Sequence, residues 1–212
     1  MARHGTYTTI ARFYDLFDLP FEYFRYRKIR KTLWRGLEGR ILDAGVGTGR
    51  NMHHYPETAD MVGIDLSPMM LARAAARQRR TGVAVELLKR DVLFTGFEDD
   101  EFDVIVSSFL FCVLDDHMQL PALQELRRVC REDGEIRILE YSWSKNRLRR
   151  FVMALWAPWV SFAYGARFDR DTAQYVRSAG LDLIENRFVH GDIIRLLVLR
   201  PAKRKATTED GP

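Results

Sequence analysis

The sequence predicts a doubly wound α/β fold, with a seven-stranded sheet that is parallel except for an antiparallel C-terminal hairpin. Three observations lead to this prediction. Short apolar runs alternate along the chain with segments of helical periodicity. Residues 41–49 contain the first apolar run and the glycine-rich turn that follows it, and Asp65 ends the second run. The last two apolar runs flank a short turn at residues 190–192, which is typical of a hairpin at a sheet edge.

In the first half of the chain, strands are predicted where short apolar runs are bounded by turn residues, and helices where apolar residues recur every three to four positions. Ser67 can cap a helix and Pro68 fits its first turn, while Gly82 ends that helix. The predicted strands are residues 40–44, 61–65 and 84–88, and the predicted helices are residues 8–18, 21–36, 49–55 and 67–80.

In the second half, Gly180 ends the last helix, which Asp169 or Asp171 is expected to cap. Pro158 is expected to break a long apolar helix because proline cannot donate a helical hydrogen bond. The predicted helices are residues 118–131, 146–164 and 170–179, and the predicted strands are residues 102–108, 134–140, 182–189 and 193–199.

The glycine-rich turn contains Gly45, Gly47 and Gly49. Glycine lets the backbone turn sharply and leaves room for a ligand against the main chain. Asp65, 20 positions after Gly45, falls at the tip of the second strand, where a carboxylate can accept both hydroxyls of a ribose. The spacing is G-x-G-x-G, not the G-x-G-x-x-G of dinucleotide sites, and Asp43 precedes it. A nucleoside site is predicted; an ordinary tight turn is the alternative.

This pattern resembles motif I of the class I S-adenosylmethionine-dependent methyltransferases, whose fold is Rossmann-like, and residues 40–199 follow the family order. The resemblance implies S-adenosylmethionine as cofactor and S-adenosylhomocysteine as its product. It places Asp43 near the methionine amino group, Asp65 on the ribose and Asp91 at the adenine amino group, with Val92 beside the ring. The cofactor-binding residues that it implies are Asp43, Gly45, Gly47, Gly49, Asp65, Leu66, Met70, Asp91, Val92 and Ser107.

Composition fits one main globular domain, because 47% of the 212 residues are apolar and 29% are charged. We expect a helical, membrane-associating cap over residues 1–38, a cofactor-binding domain over residues 39–200 and a disordered tail over residues 201–212. Residues 1–9 lack the apolar run of a signal peptide, and the two cysteines lack paired spacing, so a cytoplasmic, reducing location is expected. The five histidines form no metal-binding pattern, and we expect no metal.

Residues 21–37 combine a basic face with aromatic residues. Basic side chains recur at helical spacing, while Tyr26, Ile29, Leu33 and Leu37 line the opposite face. Aromatic anchors beside cations are typical of a segment at a membrane interface. A solvated basic helix whose aromatic residues belong to the core is the alternative. The residues expected at the membrane or substrate are Phe21, Phe24, Arg27, Lys28, Lys31 and Arg35.

Residues 145–164 form a second candidate membrane segment. Residues 151–164 carry no charge, but a stretch of this length cannot cross a bilayer, which needs about 20 residues. A basic collar precedes an apolar helical stripe with two tryptophans, which is typical of a helix lying in the headgroup region. A buried helix that roofs the substrate cavity is the alternative. The residues expected at the membrane or substrate are Arg149, Arg150, Trp156 and Trp159.

The net charge is only +4, but these two segments concentrate the basic excess. We therefore expect peripheral association with an anionic membrane surface, at the inner face of the cytoplasmic membrane. Nucleic acid is the competing partner for a basic surface. Residues 107–111 lack the Asn-Pro-Pro-Tyr type of sequence with which amino-methylating nucleic-acid enzymes stack a base, and no nucleic-acid module is present, so no nucleic-acid partner is expected.

Within the class I enzymes, the sequence is similar to the bacterial phospholipid N-methyltransferases, relatives of the ubiquinone and menaquinone C-methyltransferases. Residues 13–17, 41–51, 114–117 and 139–141 carry this resemblance. It implies a phospholipid substrate: phosphatidylethanolamine and its mono- and dimethyl forms, methylated toward phosphatidylcholine at the membrane surface. A quinone or another small molecule is the alternative substrate. A non-catalytic binding module on the same scaffold is a third hypothesis.

Methylation of an amine that is protonated at neutral pH requires a proton acceptor near the methyl group. Tyrosine hydroxyls can orient the nitrogen or relay its proton, and the aromatic faces of Tyr14, Phe109 and Tyr141 can hold the methylated cation. The residues expected to act on the substrate are Tyr14, Glu140, Tyr141, Asp116 and His117. The alternatives are that Glu140 is a solvated strand end, that His117 only flanks the next helix and that Tyr14 only covers the cofactor.

Overall fold

The structure is a computed structural model that describes residues 26–164 and 166–203, so the helix predicted at residues 8–18 lies outside the described residues. The described α-helices are α1 (Arg27–Leu33), α2 (Pro68–Thr81), α3 (Asp116–Val129) and α4 (Arg147–Tyr164). The strands are β1 (Arg40–Ala44), β2 (Asp60–Asp65), β3 (Glu86–Lys89), β4 (Phe102–Ser108), β5 (Cys130–Tyr141), β6 (Leu181–His190) and β7 (Ile194–Pro201).

The seven strands form one sheet in the order β3-β2-β1-β4-β5-β7-β6. Strands β1 to β5 are parallel, whereas β7 is antiparallel to both β5 and β6. The strand order reverses between β1 and β4, and ligands of open α/β sheets bind beyond the carboxyl ends of the strands at such a point. The predicted fold class, including the C-terminal hairpin, is confirmed.

Helices cover both faces of the sheet. On one face, Leu33 of α1 is buried in a cluster with Val106 of β4. On the other, Leu123 and Leu126 of α3 are buried in a cluster with Ile105 of the same strand. Full burial of a side chain of this size stabilises the fold by about 1.5–3 kcal/mol. The described part of residues 1–38 therefore shares the core of the sheet.

Residues 49–55 are not an α-helix, in contrast to the prediction. They contain one 3-10 turn, Met52–His54. The side chain of Asn51 donates to Asp43, and Tyr55 is extended (φ −62°, ψ 135°) ahead of Pro56, which disfavours a helical residue before it. The glycine-rich turn therefore leads through a short turn into β2.

The α-helix predicted at residues 170–179 is also wrong, and its place is taken by two 3-10 helices, Thr172–Tyr175 and Arg177–Ala179. Neither expected cap forms. Asp171 accepts a hydrogen bond from Arg195 at 2.6 Å, and Asp169 accepts from Arg167. Asp171 and Thr172 bond to residues distant in the chain, and Asp171 does not cap the local backbone, so a regular helix does not form.

Pro158 does not break α4, which continues to Tyr164. Proline removes the hydrogen bond that its N–H would give to the carbonyl of Ala154. Both residues are exposed, so water can satisfy that carbonyl. The predicted break is therefore wrong because the interruption lies on the solvent side of the helix.

A buried ion pair joins β5 to β7. Glu140 is fully buried, and it accepts hydrogen bonds from Arg195 Nε at 2.8 Å and from the Thr172 hydroxyl. Arg195 stands opposite Glu140 in the antiparallel register and also bonds to Asp171. The alternative that Glu140 is a solvated strand end is wrong. Its carboxylate instead holds the hairpin against the parallel part of the sheet.

We predict that Glu140→Gln lowers the free energy of unfolding by about 3 kcal/mol, because removing one partner of a buried pair leaves the other charge poorly compensated. Chemical denaturation measures this change. Glu135→Gln on the same strand is the matched control, since its pair with Arg137 is more exposed and is expected to contribute at most about 1 kcal/mol. Equal, small effects of the two substitutions would contradict the assignment.

Candidate cofactor and substrate site

The glycine-rich loop, residues 45–49, turns sharply at the carboxyl end of β1. The N–H groups of Gly45 and Val46 donate to the carbonyl of Ile64 at 3.0 and 2.9 Å. Gly47 has φ +55°, and a Cβ added there meets no atom within 4 Å, so the loop presents open space at this point. A Cβ at Gly49 meets Met52 at 2.7 Å instead. Gly47 thus faces the side where a ligand can approach, whereas Gly49 allows close packing.

Asp65 braces this loop from the neighbouring strand. Its Oδ2 accepts from the N–H of Gly47 at 2.9 Å, and its Oδ1 accepts from the N–H of Ser67 at 2.8 Å. Burial raises the pKa of Asp65, and the two backbone hydrogen bonds oppose this rise. The carboxylate lies next to the open position at Gly47, as the ribose-binding prediction requires.

Asp43 lies fully buried beneath the loop. Asn51 Nδ2 donates to its two oxygens at 3.1 and 2.9 Å, and the Tyr55 hydroxyl donates to Oδ2 at 2.6 Å. Burial raises the pKa of Asp43 to about 6, against the hydrogen bonds of Tyr55 and Asn51. Asp43 therefore organises the residues around it, and its contact with a methionine amino group stays a prediction.

Arg30 of α1 completes this network, and the sequence did not indicate it. Its Nη1 donates to Asn51 Oδ1 at 2.6 Å and to Ser108 Oγ at 3.3 Å, while the guanidinium lies 5.7 Å from the ring centre of Phe109. The sequence feature that could have identified Arg30 is its position, because it lies four residues after Tyr26, on the apolar face of the helix. We call Arg30, Asp43, Asn51, Tyr55 and Ser108 the loop network.

Aromatic rings cluster at the carboxyl ends of β4 and β5. The ring of Phe109 lies 4.7 Å from that of Tyr141 and 5.6 Å from that of Tyr26, and the two tyrosine hydroxyls are 2.7 Å apart. Phe168 lies 5.5 Å from Tyr141, and Trp143 lies 5.4 Å from Phe168. We call these five residues the aromatic cluster. It contains Phe109 and Tyr141, which the sequence proposed for holding a cation, and three rings that it did not.

The other predicted cofactor residues differ in exposure. Asp91 accepts from the N–H of Leu93 at 2.9 Å, and Val92 is buried in the core. Leu66 is 44% exposed, whereas Met70 is buried. Ser107 is buried at the end of β4, and its Oγ has no hydrogen-bond partner among the described residues. A buried hydroxyl without a partner points to a missing polar ligand.

The predicted substrate-acting residues are not brought to one point. Tyr14 lies outside the described residues, and direct contact of Glu140 with a substrate requires Arg195 and Thr172 to release it. Asp116, at the start of α3, pairs with Arg170 at 2.7 Å, and the next residue, His117, is exposed. Of the members of this set that the structure describes, Tyr141 lies in the aromatic cluster.

Most of the predicted membrane residues that can be described are exposed. Phe21 and Phe24 lie outside the described residues, and Arg27 begins α1. Lys28, Lys31 and Arg35 are exposed. In α4, Arg149 pairs with Asp192 and the guanidinium of Arg150 lies 5.5 Å from the ring centre of Trp143. Trp156 and Trp159 are 60% and 46% exposed.

The alternative that α4 is a buried roof is wrong for most of its apolar residues. Leu148, Phe151 and Leu155 are 75%, 62% and 66% exposed, while Met153 is buried. None of the helices within the described residues has the length and apolar content needed to span a bilayer. Among the same residues, no group of three side chains could hold a metal ion.

Residues 41–134 match the family model described as "Methyltransferase domain". The chain is 36% identical over 105 residues to phosphatidylethanolamine N-methyltransferase of Cereibacter sphaeroides, covering 49% of this chain and 51% of the relative. It is also 36% identical over 105 residues to demethylmenaquinone methyltransferase of Thermus thermophilus, covering 48% and 47%. The chain thus spans about half the length of these curated relatives.

The fold is likewise that of known methyltransferases. A solved structure of a SAM-dependent methyltransferase from Aquifex aeolicus has a TM-score of 0.62 and 20% identity to this chain, covering 83% of it and 89% of the solved chain. The domain match and the shared fold agree with S-adenosylmethionine, the cofactor that the sequence resemblance implies. The open position at Gly47, the Asp65 carboxylate and the unpartnered Ser107 hydroxyl fit this ligand.

We predict that Asp65→Ala weakens S-adenosylmethionine binding by about 1–3 kcal/mol, through the loss of charge-assisted hydrogen bonds and of the support for Gly47. Titration calorimetry measures the affinity, and a thermal melt shows whether the fold is kept. An affinity unchanged within twofold would remove Asp65 from the cofactor site.

We predict that Asp43 makes stability depend on pH between about 4 and 6. The folded chain holds the proton of Asp43 up to about pH 6, whereas the ordinary pKa of an aspartate carboxyl is 3.8. Because the folded state binds the proton more tightly, the contribution of Asp43 is full below pH 4 and falls as pH rises, by at most about 3 kcal/mol. Denaturation of the wild type and Asp43→Asn across this range measures the difference. A pH-independent difference would contradict the prediction.

Proposed function

We propose that this chain, whose residues 41–134 form a methyltransferase domain, transfers methyl groups from S-adenosylmethionine to the amine of phosphatidylethanolamine and its mono- and dimethyl forms at a membrane surface. The similarity to phosphatidylethanolamine N-methyltransferase supports this substrate. We further propose peripheral association with the inner face of the cytoplasmic membrane.

One observation carries the proposal: an exposed apolar helix begins beside the aromatic cluster. Only residues 142–146 separate Tyr141 of the cluster from α4. The stripe on α4 includes Phe151, Leu155 and Trp156, each at least 60% exposed. Large contiguous apolar surfaces on soluble domains mark interaction sites, and a helix with a basic start and tryptophans suits the headgroup region of a bilayer. A membrane at α4 therefore presents headgroups near the aromatic cluster.

The charge of α1 supports the same orientation. Lys28 and Lys31 are exposed on the helix and Arg35 is exposed just after it, while Arg30 is turned inward to the loop network. Each basic residue near an anionic leaflet contributes about 1 kcal/mol to binding. Tyr26 places the start of α1 against Phe109 and Tyr141, so the basic helix also begins at the aromatic cluster.

S-adenosylmethionine supplies an electrophilic methyl group, whose bond to sulfur breaks as the bond to the amine nitrogen forms. The protein must first provide a neutral amine, because an ammonium has no lone pair. The hydroxyls of Tyr26 and Tyr141, which share a hydrogen bond, are suited to accept from the amine and to orient its nitrogen. We propose this positioning role for Tyr141.

The departing proton needs an acceptor. Glu140 is buried and accepts hydrogen bonds from Arg195 and Thr172. We therefore propose that it stabilises the sheet and does not act on the substrate. Asp116 and His117 are exposed at the start of α3 and can pass a proton to water. Asp116 is already engaged by Arg170 at 2.7 Å, so we propose His117 or water as the acceptor.

The aromatic cluster suits a product that becomes a fixed cation. A quaternary ammonium cannot donate a hydrogen bond, but aromatic faces attract it by about 0.5–2 kcal/mol each. We assign this role to Tyr141 and Phe168, because the ring of Phe109 already lies between the guanidinium of Arg30 and the ring of Tyr141. The same faces retain the mono- and dimethyl intermediates between successive transfers.

A quinone is the second candidate substrate. The similarity to demethylmenaquinone methyltransferase has the same identity and nearly the same coverage as the similarity to the phospholipid enzyme. The aromatic cluster can also stack against a planar, neutral ring. A quinol must lose a proton from oxygen and gains its methyl group on carbon, so the products of the two reactions differ in kind.

Incubation of the protein with labelled methyl donor and vesicles that contain both phosphatidylethanolamine and a demethylated quinol tests the proposal. We expect label in mono-, di- and trimethylated phosphatidylethanolamine, identified by mass. Label in the quinone alone would establish the second candidate. A preparation with Asp65→Ala controls for contaminating enzymes, because its turnover must fall with its cofactor affinity.

We predict that vesicle binding strengthens with anionic lipid and weakens between about 0.05 and 0.5 M salt, because surface attraction is screened at short range. Charge reversal at Lys31 and Arg35 should reduce binding roughly tenfold or more without changing cofactor affinity. Sedimentation with vesicles measures the binding. Reversal of Arg79 and Arg80, exposed in the last turn of α2, is the matched control. Equal sedimentation with neutral and anionic vesicles would contradict the membrane assignment.

A further inference from the structure

A cavity of about 200 Å³ lies beyond the end of β5, next to the aromatic cluster. The rings of Trp143 and Phe168 form part of its wall, so the cluster continues from this cavity to Phe109 at the end of β4. The cavity is lined by Ser142, Trp143, Phe168, Asp169, Arg170, Asp171 and Arg195.

Arg170 is the unusual group in this lining. The residue is 6% exposed, and its Nη1 and Nη2 pair with Asp116 and Asp115 at 2.7 and 3.3 Å. Its Nε is buried and has no hydrogen-bond partner among the described residues. A guanidinium donor left unsatisfied in the interior costs more than a neutral one, so this N–H calls for an acceptor oxygen.

Carboxylates outnumber guanidinium groups at this cavity. Asp169, Asp171, Arg170 and Arg195 line it, and Arg170 already pairs with Asp115 and Asp116, while Arg195 pairs with Glu140 and Asp171. A ligand with a single negative charge could accept a hydrogen bond from Arg170 but would be repelled by both carboxylates of the lining. A simple cation would leave the Arg170 N–H without an acceptor. A ligand that carries both charges can satisfy the donor with an oxygen and place its cation against the rings.

We propose that this cavity is the headgroup subsite for a zwitterionic phosphodiester, with a phosphate oxygen accepting from Arg170 Nε and the ammonium group lying along the rings of Phe168 and Tyr141. The proposal deepens the proposed function and rests on it for the identity of the lipid. Only an –O–CH₂–CH₂– link separates phosphate from nitrogen in such a headgroup. An anchor for the phosphate at Arg170 therefore leaves the nitrogen within reach of the neighbouring aromatic rings.

The subsite assigns Arg170 a role in binding and not in the reaction. An interaction with phosphate, remote from the reacting nitrogen, is made equally before and during methyl transfer, so it affects KM more than kcat. A purely structural role would instead change stability or cofactor affinity. These readouts separate the two roles.

The test uses Arg170→Lys, which keeps a positive charge for Asp115 and Asp116 but lacks the Nε fork. Arg167→Lys is the matched control, because Arg167 is exposed and does not line the cavity. Binding of glycerophosphocholine, inorganic phosphate and choline is measured by titration calorimetry, and KM and kcat are measured on phosphatidylethanolamine vesicles.

We expect the wild type to bind glycerophosphocholine at least fivefold more tightly than phosphate or choline alone. Arg170→Lys should lose at least fivefold of this affinity and raise KM for the lipid at least fivefold, with kcat and S-adenosylmethionine affinity unchanged within twofold. Arg167→Lys should resemble the wild type. Equal glycerophosphocholine binding by wild type and Arg170→Lys would overturn the proposal.

The proposal and the proposed function can fail separately. Binding of glycerophosphocholine that depends on Arg170, without methylation of any phospholipid, would support the subsite and reject the lipid reaction. Methylation of phosphatidylethanolamine with an unchanged KM in Arg170→Lys would support the lipid reaction and reject the subsite. If Arg170→Lys does not fold, Phe168→Leu takes its place as the test variant. In addition, the subsite would be overturned if the wild type bound choline as tightly as glycerophosphocholine.

Discussion

The burial of one carboxylate, Asp43, constrains the architecture around the glycine-rich loop. A charged group with no exposed surface has to be surrounded by donors, and Asn51 and Tyr55 provide them from the chain that follows the loop. Asn51 lies immediately ahead of the short 3-10 turn Met52–His54. The same constraint brings in Arg30, which binds the free oxygen of the Asn51 side chain. Loop, turn and α1 are thus fixed by one buried group.

This network lies between the two surfaces on which the proposed function depends. Arg30 lies on the inner side of α1, while Lys28 and Lys31 lie exposed on the same helix. Through Asn51 and Asp43 its guanidinium is connected to the loop that carries Gly47. Hydrogen bonds therefore connect the helix proposed to meet the membrane with Asp43, which lies in β1 just ahead of the loop that fits the cofactor.

The sheet and the glycine-rich loop could be predicted from the sequence because their signals are local. Strands β1 and β4 have the predicted bounds, since each is an apolar run closed by turn residues. One failure, at residues 170–179, involves partners that are distant in the chain. Residues 170–179 lose their helix because Asp171 and Thr172 bond to Arg195 and Glu140. No periodicity in one segment can show such a bond, and for the same reason Glu140 looked available to a substrate.

Phe109 fixes the position of the polar part of the site relative to its aromatic part. A non-glycine residue at φ +59° costs about 1–3 kcal/mol, and it persists only where its surroundings fix it. The N–H of Phe109 donates to the carbonyl of Leu139 at 2.7 Å, which ties the end of β4 to β5. Its ring then lies between the guanidinium of Arg30 and the ring of Tyr141. Phe109 therefore lies between the loop network, through its neighbour Ser108, and the aromatic cluster, through the ring of Tyr141. A relaxed backbone at Phe109 would separate the loop network from the aromatic cluster.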